Sequence, residues 1–145
     1  MEIDLALLAD AATVDAAGKL NILGVFDRIS TGGFPAQHPH ISLVLRFGAS
    51  MNEAGDHSVE IVLRDPDGAE VVRLNGEIKV GVGSMATGGR VRVPQVVNME
   101  RLVFQKAGRY SFDVSVDGEH QVGVPLFIHD ASAQAPPAQA PPAQA

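Results

Sequence analysis

The segment from Tyr110 to Val116 limits the possible folds more than any other part of this chain. Its apolar and polar side chains alternate at every second position. This period of two is typical of an antiparallel strand with one buried face. Asp117 and Gly118 follow at once, and this pair favours the positive φ angles of a tight hairpin turn. The segment therefore predicts a hairpin whose first strand buries Tyr110, Phe112, Val114 and Val116.

The same alternation recurs along the chain between turn residues. Turn signals roughly every 8–12 residues favour an all-β protein, a single antiparallel β-sandwich of about seven to nine strands. Pro94 and Pro125 are expected on edge strands or at bulges, because proline cannot donate a ladder hydrogen bond. The predicted strands cover residues 3–8, 20–29, 41–47, 58–64, 70–80, 91–97, 102–104, 109–116 and 119–128.

Two segments near the amino terminus bear on how the sheets are arranged, and the first of them allows two interpretations. Ile3–Leu8 fits a strand, although a helix over Glu2–Ala17 competes because Ala and Leu favour helices. Leu20–Ile29 is apolar on both faces, which predicts a central strand. The next segment, Ser30–His40, is rich in Gly and Pro and predicts a loop.

The chain has 145 residues, enough for one domain, which we expect over residues 1–130. Residues 131–145 contain only Ala, Ser, Gln and Pro and repeat Gln-Ala-Pro-Pro-Ala. This composition predicts a disordered, extended tail, and a docking segment for another protein is the alternative. The absence of cysteine excludes disulfides, a thiolate nucleophile and cysteine-based zinc sites.

Charge and hydropathy bear on the partners of the chain. Its formal net charge is −6, and its eleven Lys and Arg residues are scattered. Nucleic acids and anionic membranes are therefore not expected as partners. Acidic residues interrupt the first apolar run, and no segment reaches the roughly 18 apolar residues of a membrane span. The expected location is the cytoplasm.

The start of the closing hairpin, Gly108-x-Tyr110-x-Phe112, resembles the Gly-x-Tyr-x-Cys of immunoglobulin-like domains. In those domains the tyrosine hydroxyl bonds back to the backbone. Phe112 stands where the disulfide cysteine would be, so apolar packing would replace the cross-link. We therefore expect an immunoglobulin-like sandwich without the cysteine pair or the core tryptophan, with structural roles for Tyr110, Phe112, Asp117 and Gly118.

Several segments together are similar to an uncharacterised bacterial family, classed as a domain of unknown function. The resemblance spans about residues 3–128 and implies one β-sandwich domain of bacterial origin. It implies no catalytic residue. The segments are Leu-Leu-Ala-Asp at 7–10, Gly-Lys-Leu-Asn-Ile-Leu-Gly-Val-Phe-Asp at 18–27, Phe-Pro at 34–35, His-Pro at 38–39, Gly-Arg-Tyr-x-Phe at 108–112, Val-Asp-Gly-Glu at 116–119 and Val-Pro-Leu at 124–126.

The candidate binding residues lie in the segment Ser30–His40. Phe34 on a stiffened loop can anchor a partner, or it can fold under and close the end of the sandwich. His38 and His40 form the only close histidine pair and could join Asp27 at a metal, although surface histidines are the more common case. The pair alone does not predict a metal site.

Other motifs indicate turns rather than chemistry. Asp65–Gly68 predicts a β-turn, because it lacks the glycine and glutamate spacing of a calcium loop. Gly81–Gly89 predicts a mobile loop, since it does not open a helix with Lys-Ser or Lys-Thr. No nucleophile elbow is present. The chain therefore shows no catalytic residue and no cofactor motif.

Three functions remain open after these observations. The first is a non-enzymatic protein-interaction module with an unknown protein partner or a homo-oligomer formed through sheet faces or edges. It rests on the absence of catalytic motifs and on strands such as Leu20–Ile29, which is apolar on both sides. The second is a small-ligand or metal-binding domain that uses the loop at 30–40. The third is a hydrolase with a cross-strand site that spacing cannot reveal.

Overall fold

A computed structural model describes residues 1–81 and 89–132, and these residues form an all-β protein with nine strands in two sheets. A short 3₁₀ turn, Met51–Glu53, precedes the fifth strand. The strands are β1 Glu2–Val14, β2 Leu20–Phe26, β3 Arg28–Thr31, β4 Ala36–Ser50, β5 Gly55–Arg64, β6 Glu70–Val80, β7 Arg90–Phe104, β8 Gly108–Val116 and β9 Glu119–Asp130.

The first sheet has four strands in the order β2-β1-β4-β7, and the second has five in the order β3-β9-β8-β5-β6. All neighbours pair antiparallel except β3 and β9, which are parallel. The expectation of a purely antiparallel fold is wrong at this pair. Only one residue separates β3 from β2, so no hairpin sets the direction of β3.

One hydrophobic core receives side chains from both sheets. Leu43 and Phe47 enter it from the first sheet, and Phe112 and Leu126 enter it from the second. The alternation predicted for β8 is present, since every second residue from Tyr110 onward is buried. Because the core uses one face of each strand, the opposite face of each sheet is free to carry other side chains.

The expectation of one central strand over residues 20–29 is wrong. The chain bends at Asp27, so that β2 forms an edge of the first sheet and β3 an edge of the second. The apolar pattern on both sides has a different origin: Phe26 packs on the core, while Leu23 and Val25 are exposed. The loop expected over residues 30–40 is also shorter, because only residues 32–35 lie outside strands.

The structure agrees with the predictions for the first strand and for the two prolines. β1 is a strand rather than a helix, and it extends to Val14. Pro94 lies on β7, an edge strand, as expected. Pro125 lies on β9 before the stretch that pairs with β3, so its β3-facing side has no ladder there. Most of the loop predicted at Gly81–Gly89 and most of the tail predicted at 131–145 lie outside the described residues, at 82–88 and 133–145.

Candidate interaction surface

The side of the first sheet that points away from the core is called the outer face here. Its residues alternate with core residues along each strand: Leu8 and Leu43 enter the core, whereas their neighbours Ala9 and Ser42 pair on the opposite side. Register places the following residues on this face: Leu5, Leu7, Ala9, Ala11, Leu23, Val25, His40, Ser42, Val44, Arg46, Pro94, Val96, Asn98 and Glu100.

Strand β2 forms one edge of the outer face and leaves large apolar side chains in solvent. Leu23 is 71% exposed and Val25 is 62% exposed, the two highest values among the large hydrophobic residues described. They pair with Ala11 and Ala9, whose small side chains cannot cover them. The seven residues of β2 include neither a charged residue nor a proline.

A shallow groove continues this apolar surface beside β2. It has a volume of ≈ 370 Å³ and runs where the first sheet meets β9 of the second. Leu7 and Val25 line one side of it, and Val124 and Pro125 line the other. The apolar surface at β2 therefore reaches around the edge of the sheet.

Gly24 gives β2 a feature that another residue would not tolerate. Its φ is +71°, in the left-handed region that favours glycine. A Cβ at this position would overlap Oδ2 of Asp10 on the neighbouring strand. Glycine therefore allows the β2 backbone to lie against this carboxylate.

A polar network crosses the outer face between β4 and β7. The ring of His40 lies between a carboxylate and a hydroxyl: Nδ1 is 2.6 Å from Oε1 of Glu100, and Nε2 is 3.0 Å from Oγ of Ser42. Ser42 Oγ in turn is 2.8 Å from Oδ1 of Asn98. Cross-strand pairing explains the meeting, because His40 lies opposite Glu100 and Ser42 opposite Asn98.

The order carboxylate, imidazole, hydroxyl is that of a hydrolytic triad. Accessibility argues against that chemistry, because Ser42 is 0% exposed and a substrate carbonyl cannot reach its Oγ. The His40 side chain is 32% exposed, so only the outer part of the network meets solvent. The network joins β7 to β4 and satisfies the one fully buried polar residue among those described.

The three residues proposed for binding do not form one site. Phe34 is half-buried and packs against the core, which fits the closing role rather than the anchoring one. The ring of His38 lies 6.1 Å from that of Phe26, and His40 contacts Glu100. Across residues 1–81 and 89–132, no three His, Asp or Glu side chains come together in a way that could hold a metal ion.

The four residues given structural roles lie in or next to the closing hairpin. The Tyr110 hydroxyl donates to the carbonyl of Lys106 at 2.8 Å, and its ring meets that of Phe104 edge-on at 5.0 Å. Burial raises the pKa of the Tyr110 hydroxyl. Phe112 is fully buried. Asp117 and Gly118 have φ values of +50° and +83°, as the hairpin turn requires.

Asp117 also binds a histidine that the sequence did not single out. Nδ1 of His57 lies 2.6 Å from its carboxylate, and Nε2 lies 2.5 Å from the carbonyl of Glu53. Both partners are acceptors, and a ring protonated on both nitrogens can donate to both, so these contacts favour the charged form of His57. The Asp117 contact first, and then the Glu53 carbonyl, raise the pKa of His57. The same contact lowers the pKa of Asp117.

Sequence reasoning missed Glu100 and His57 because their partners, His40 and Asp117, lie 60 positions away in the chain and meet them only through strand pairing. It also missed Ser42, whose contact with Asn98 spans 56 positions, although His40 lies only two positions away on the same strand. The available signal was the parity of Ser42, a polar residue in phase with His40 on a predicted strand.

The gap between the sheets on the side of β6 and β7 is small. It measures ≈ 110 Å³ and is lined mainly by apolar residues, among them Leu74 and Val97. Pockets for small ligands usually measure roughly 300–1,000 Å³. This cleft therefore gives the small-ligand alternative little support.

The chain belongs to a family defined by sequence. Residues 4–129 match the family described as "Family of unknown function (DUF6941)". No curated protein matches the chain. In the part of the chain that the structure describes, no helix has the length and apolar character needed to cross a membrane.

A similar chain is found among solved structures. It is described as "Pseudomonas fluorescens alkylpurine DNA glycosylase AlkC bound to DNA containing an abasic site analog", with 12% identity and a TM-score of 0.47. The match covers 88% of this chain and 30% of that chain. The present chain thus corresponds to less than a third of that protein's length, and the likeness is too distant to bear on function.

Proposed function

We propose that this protein is a protein-interaction module, a non-enzymatic β-sandwich that binds its partner through β2 and the adjoining outer face. One observation carries the proposal: Leu23 and Val25 lie side by side on an unpaired edge strand and are mostly exposed. Covering them would contribute roughly 1–2 kcal/mol each, since full burial of such side chains contributes about 1.5–3 kcal/mol.

An unpaired edge strand offers more than apolar side chains. Its free N–H and C=O groups form a template to which another strand can add. Proteins usually guard such edges with lysine, proline or a covering loop. Strand β2 has no lysine or proline among its own residues, which favours an edge kept open for a partner.

The scaffold proposed for this surface is immunoglobulin-like. The hydrogen bond from the Tyr110 hydroxyl to the Lys106 carbonyl supports it, because that bond reaches back four residues as the tyrosine corner of such domains does. Fully buried Phe112 occupies the place of the missing cysteine. Strand order does not enter this inference.

A protein is the proposed partner, in preference to nucleic acid or membrane. The net charge of −6 and the scattered Lys and Arg residues oppose binding to a polyanion. We also propose that the protein acts in the cytoplasm, which the absence of cysteine supports.

The proposal is tested by crosslinking the protein at its native expression level and then capturing it by affinity together with whatever is bound to it. The baits are the wild-type chain, Leu23→Lys and a matched control, Val71→Lys, which changes an exposed valine on β6. The proposal expects a captured protein, whether another chain or further copies of this one, that Leu23→Lys loses and Val71→Lys keeps. Equal capture by all three baits would contradict it.

A serine hydrolase is the second candidate, because Glu100, His40 and Ser42 stand in triad order. A fluorophosphonate probe tests it directly. Labelling of the wild type that Ser42→Ala abolishes would establish the hydrolase. The burial of Ser42 leads us to expect no labelling of the folded protein.

A further inference from the structure

We propose that the partner of β2 is a second copy of this chain, paired antiparallel to β2 with Leu23 opposite Leu23 on a two-fold axis. This inference rests on the proposed function and names its partner. The pairing would join two four-stranded sheets into one continuous sheet through a symmetric contact.

The charges at the two ends of β2 set the register. Lys19 precedes Leu23 by four positions, and Asp27 follows it by four. Both residues lie one position outside β2, so an antiparallel pairing centred on Leu23 brings Lys19 of each copy to the same end of the paired strands as Asp27 of the other. The same interaction forms twice, and opposite charges directly across a strand pair are stabilising.

Both charged groups are available for this pairing. Within residues 1–81 and 89–132, neither the Lys19 ammonium nor the Asp27 carboxylate makes an ion pair or hydrogen bond. Most other charged groups near this sheet are engaged, as Arg46 and Arg92 are with Asp4. Two free and opposite charges at equal distances from one residue favour a self-complementary edge.

The apolar side chains fit the same register. Leu23 meets its own copy at the axis, and Val25 lies diagonally from Leu23 of the second copy on the outer face. The four side chains form one cluster that covers the most exposed apolar surface described. Leu20 and Phe26 lie opposite each other on the other side of the joined sheet.

Sedimentation equilibrium of the full chain tests the register by charge reversal. The wild type is expected to reach twice the chain mass of 15.2 kDa. Lys19→Glu and Asp27→Lys each create two like-charged pairs, and each is expected to raise the dimer dissociation constant about tenfold. An equimolar mixture of the two variants is expected to recover dimer. In the mixed dimer the two reversed charges face each other in one cross-strand pair, and the unchanged Asp27 and Lys19 face each other in the second. Both pairs therefore join opposite charges again.

Control variants make the same charge changes elsewhere. Lys79→Glu on β6 and Glu119→Lys at the start of β9 alter exposed residues of the second sheet. They are expected to dimerise like the wild type, alone and mixed. Far-ultraviolet circular dichroism of every variant shows that the fold is kept.

Two results would overturn the inference. One is a wild-type chain that stays monomeric throughout the micromolar range, and the other is a mixture that associates no better than its separate components. Either result leaves a Leu23-dependent capture of a different protein as support for the proposed function. If Leu23→Lys also loses no captured protein, the proposed function fails with it.

Discussion

The two edge strands of the four-stranded sheet, β2 and β7, differ in the residues that could prevent another strand from pairing with them. Strand β7 carries Arg90, Arg92, Pro94 and Glu100 along its length, whereas β2 has no charge and no proline. Such residues discourage another strand from pairing. The difference is that β7 carries the residues that discourage pairing and β2 does not, which is why the proposed interaction surface lies at β2 rather than at β7.

The arginines on β7 are held in place by ion pairs with β1. Arg90 pairs with Glu2, and Arg92 contacts Asp4 at 3.1 Å. Asp4 also accepts from Arg46 at 2.8 Å. The Arg46 hydrogen bond is the main reason that the pKa of Asp4 is lowered, with Arg92 adding to it. These contacts fix the arginines along β7, whereas β2 has no arginine to fix.

Of the substitutions that compare the two edges, one at the centre of β2 should change the dimer dissociation constant most. Leu23→Lys places two ammonium groups together on the axis and removes the apolar contact. We expect the dimer dissociation constant to rise roughly a hundredfold. Val103→Lys, a matched change on β7, should leave it unchanged. Analytical ultracentrifugation measures both, and equal effects would mean that the two edges do not differ.

Gly24 offers a test of the unusual backbone of β2. Gly24→Ala forces a Cβ against Asp10 at a positive φ, so we expect unfolding free energy to fall by about 1–3 kcal/mol. Gly76→Ala on β6 meets nothing within 4 Å and should change it little. Urea denaturation compares the two. An unchanged midpoint for Gly24→Ala would show that glycine is not needed there.

Substitution of Ser42 measures how much the polar network between β4 and β7 contributes to the free energy of unfolding. Ser42→Ala removes a hydroxyl that contacts both His40 and Asn98, and we expect a loss of about 1 kcal/mol in unfolding free energy. Dimerisation through β2 should not change. Ser30→Ala, an exposed serine on β3, is the control. A weaker dimer in Ser42→Ala at unchanged stability would contradict the separation of the two edges.

A pH series separates the stability of the fold from association through β2. The pKa of His57 is raised in the folded state above its ordinary 6.5. Its contribution is therefore fully present below pH 6.5 and is lost as pH rises through the raised value. The pKa of Asp117 is lowered from 3.8, so its contribution is lost only as pH falls through the lowered value.

The expected outcome is a modest decline in the unfolding free energy above pH 6.5, measured by urea denaturation. His57→Gln should remove this decline. The dimer dissociation constant should stay level over the same range, because neither β2 nor its flanking residues Lys19 and Asp27 include a histidine. A dissociation constant that follows the His57 transition would place the interface at the second sheet.

Local patterns predicted most of the strands. The alternation from Tyr110 to Val116 and the Asp117-Gly118 turn depend on neighbours in sequence, so they could be predicted. The placement of residues 20–29 could not. A strand that is apolar on both sides has the same sequence pattern whether it lies in the centre of a sheet or at an exposed edge. The change of sheet at Asp27 is set by pairing with strands that are distant in the sequence.

The candidate site could be predicted only in part. His40 could be named from the sequence, but Glu100 could not, because the strand register that joins them has no local signal. Ser42 lies two positions from His40 on the same strand, so its spacing was the one local signal for this contact. The apolar character of Leu23 and Val25 is evident in the sequence, yet it predicts a buried position for both. Burial is decided by which strands pair, and this information is absent from any single segment.

Hydrogen–deuterium exchange at low and high protein concentration tests the central claim most directly. If β2 pairs with a second copy, amides of residues 20–26 should exchange more slowly at high concentration, when the dimer forms. Amides of β7 should exchange at the same rate at both concentrations. Exchange in β2 that does not depend on concentration, or equal slowing in β7, would contradict the account.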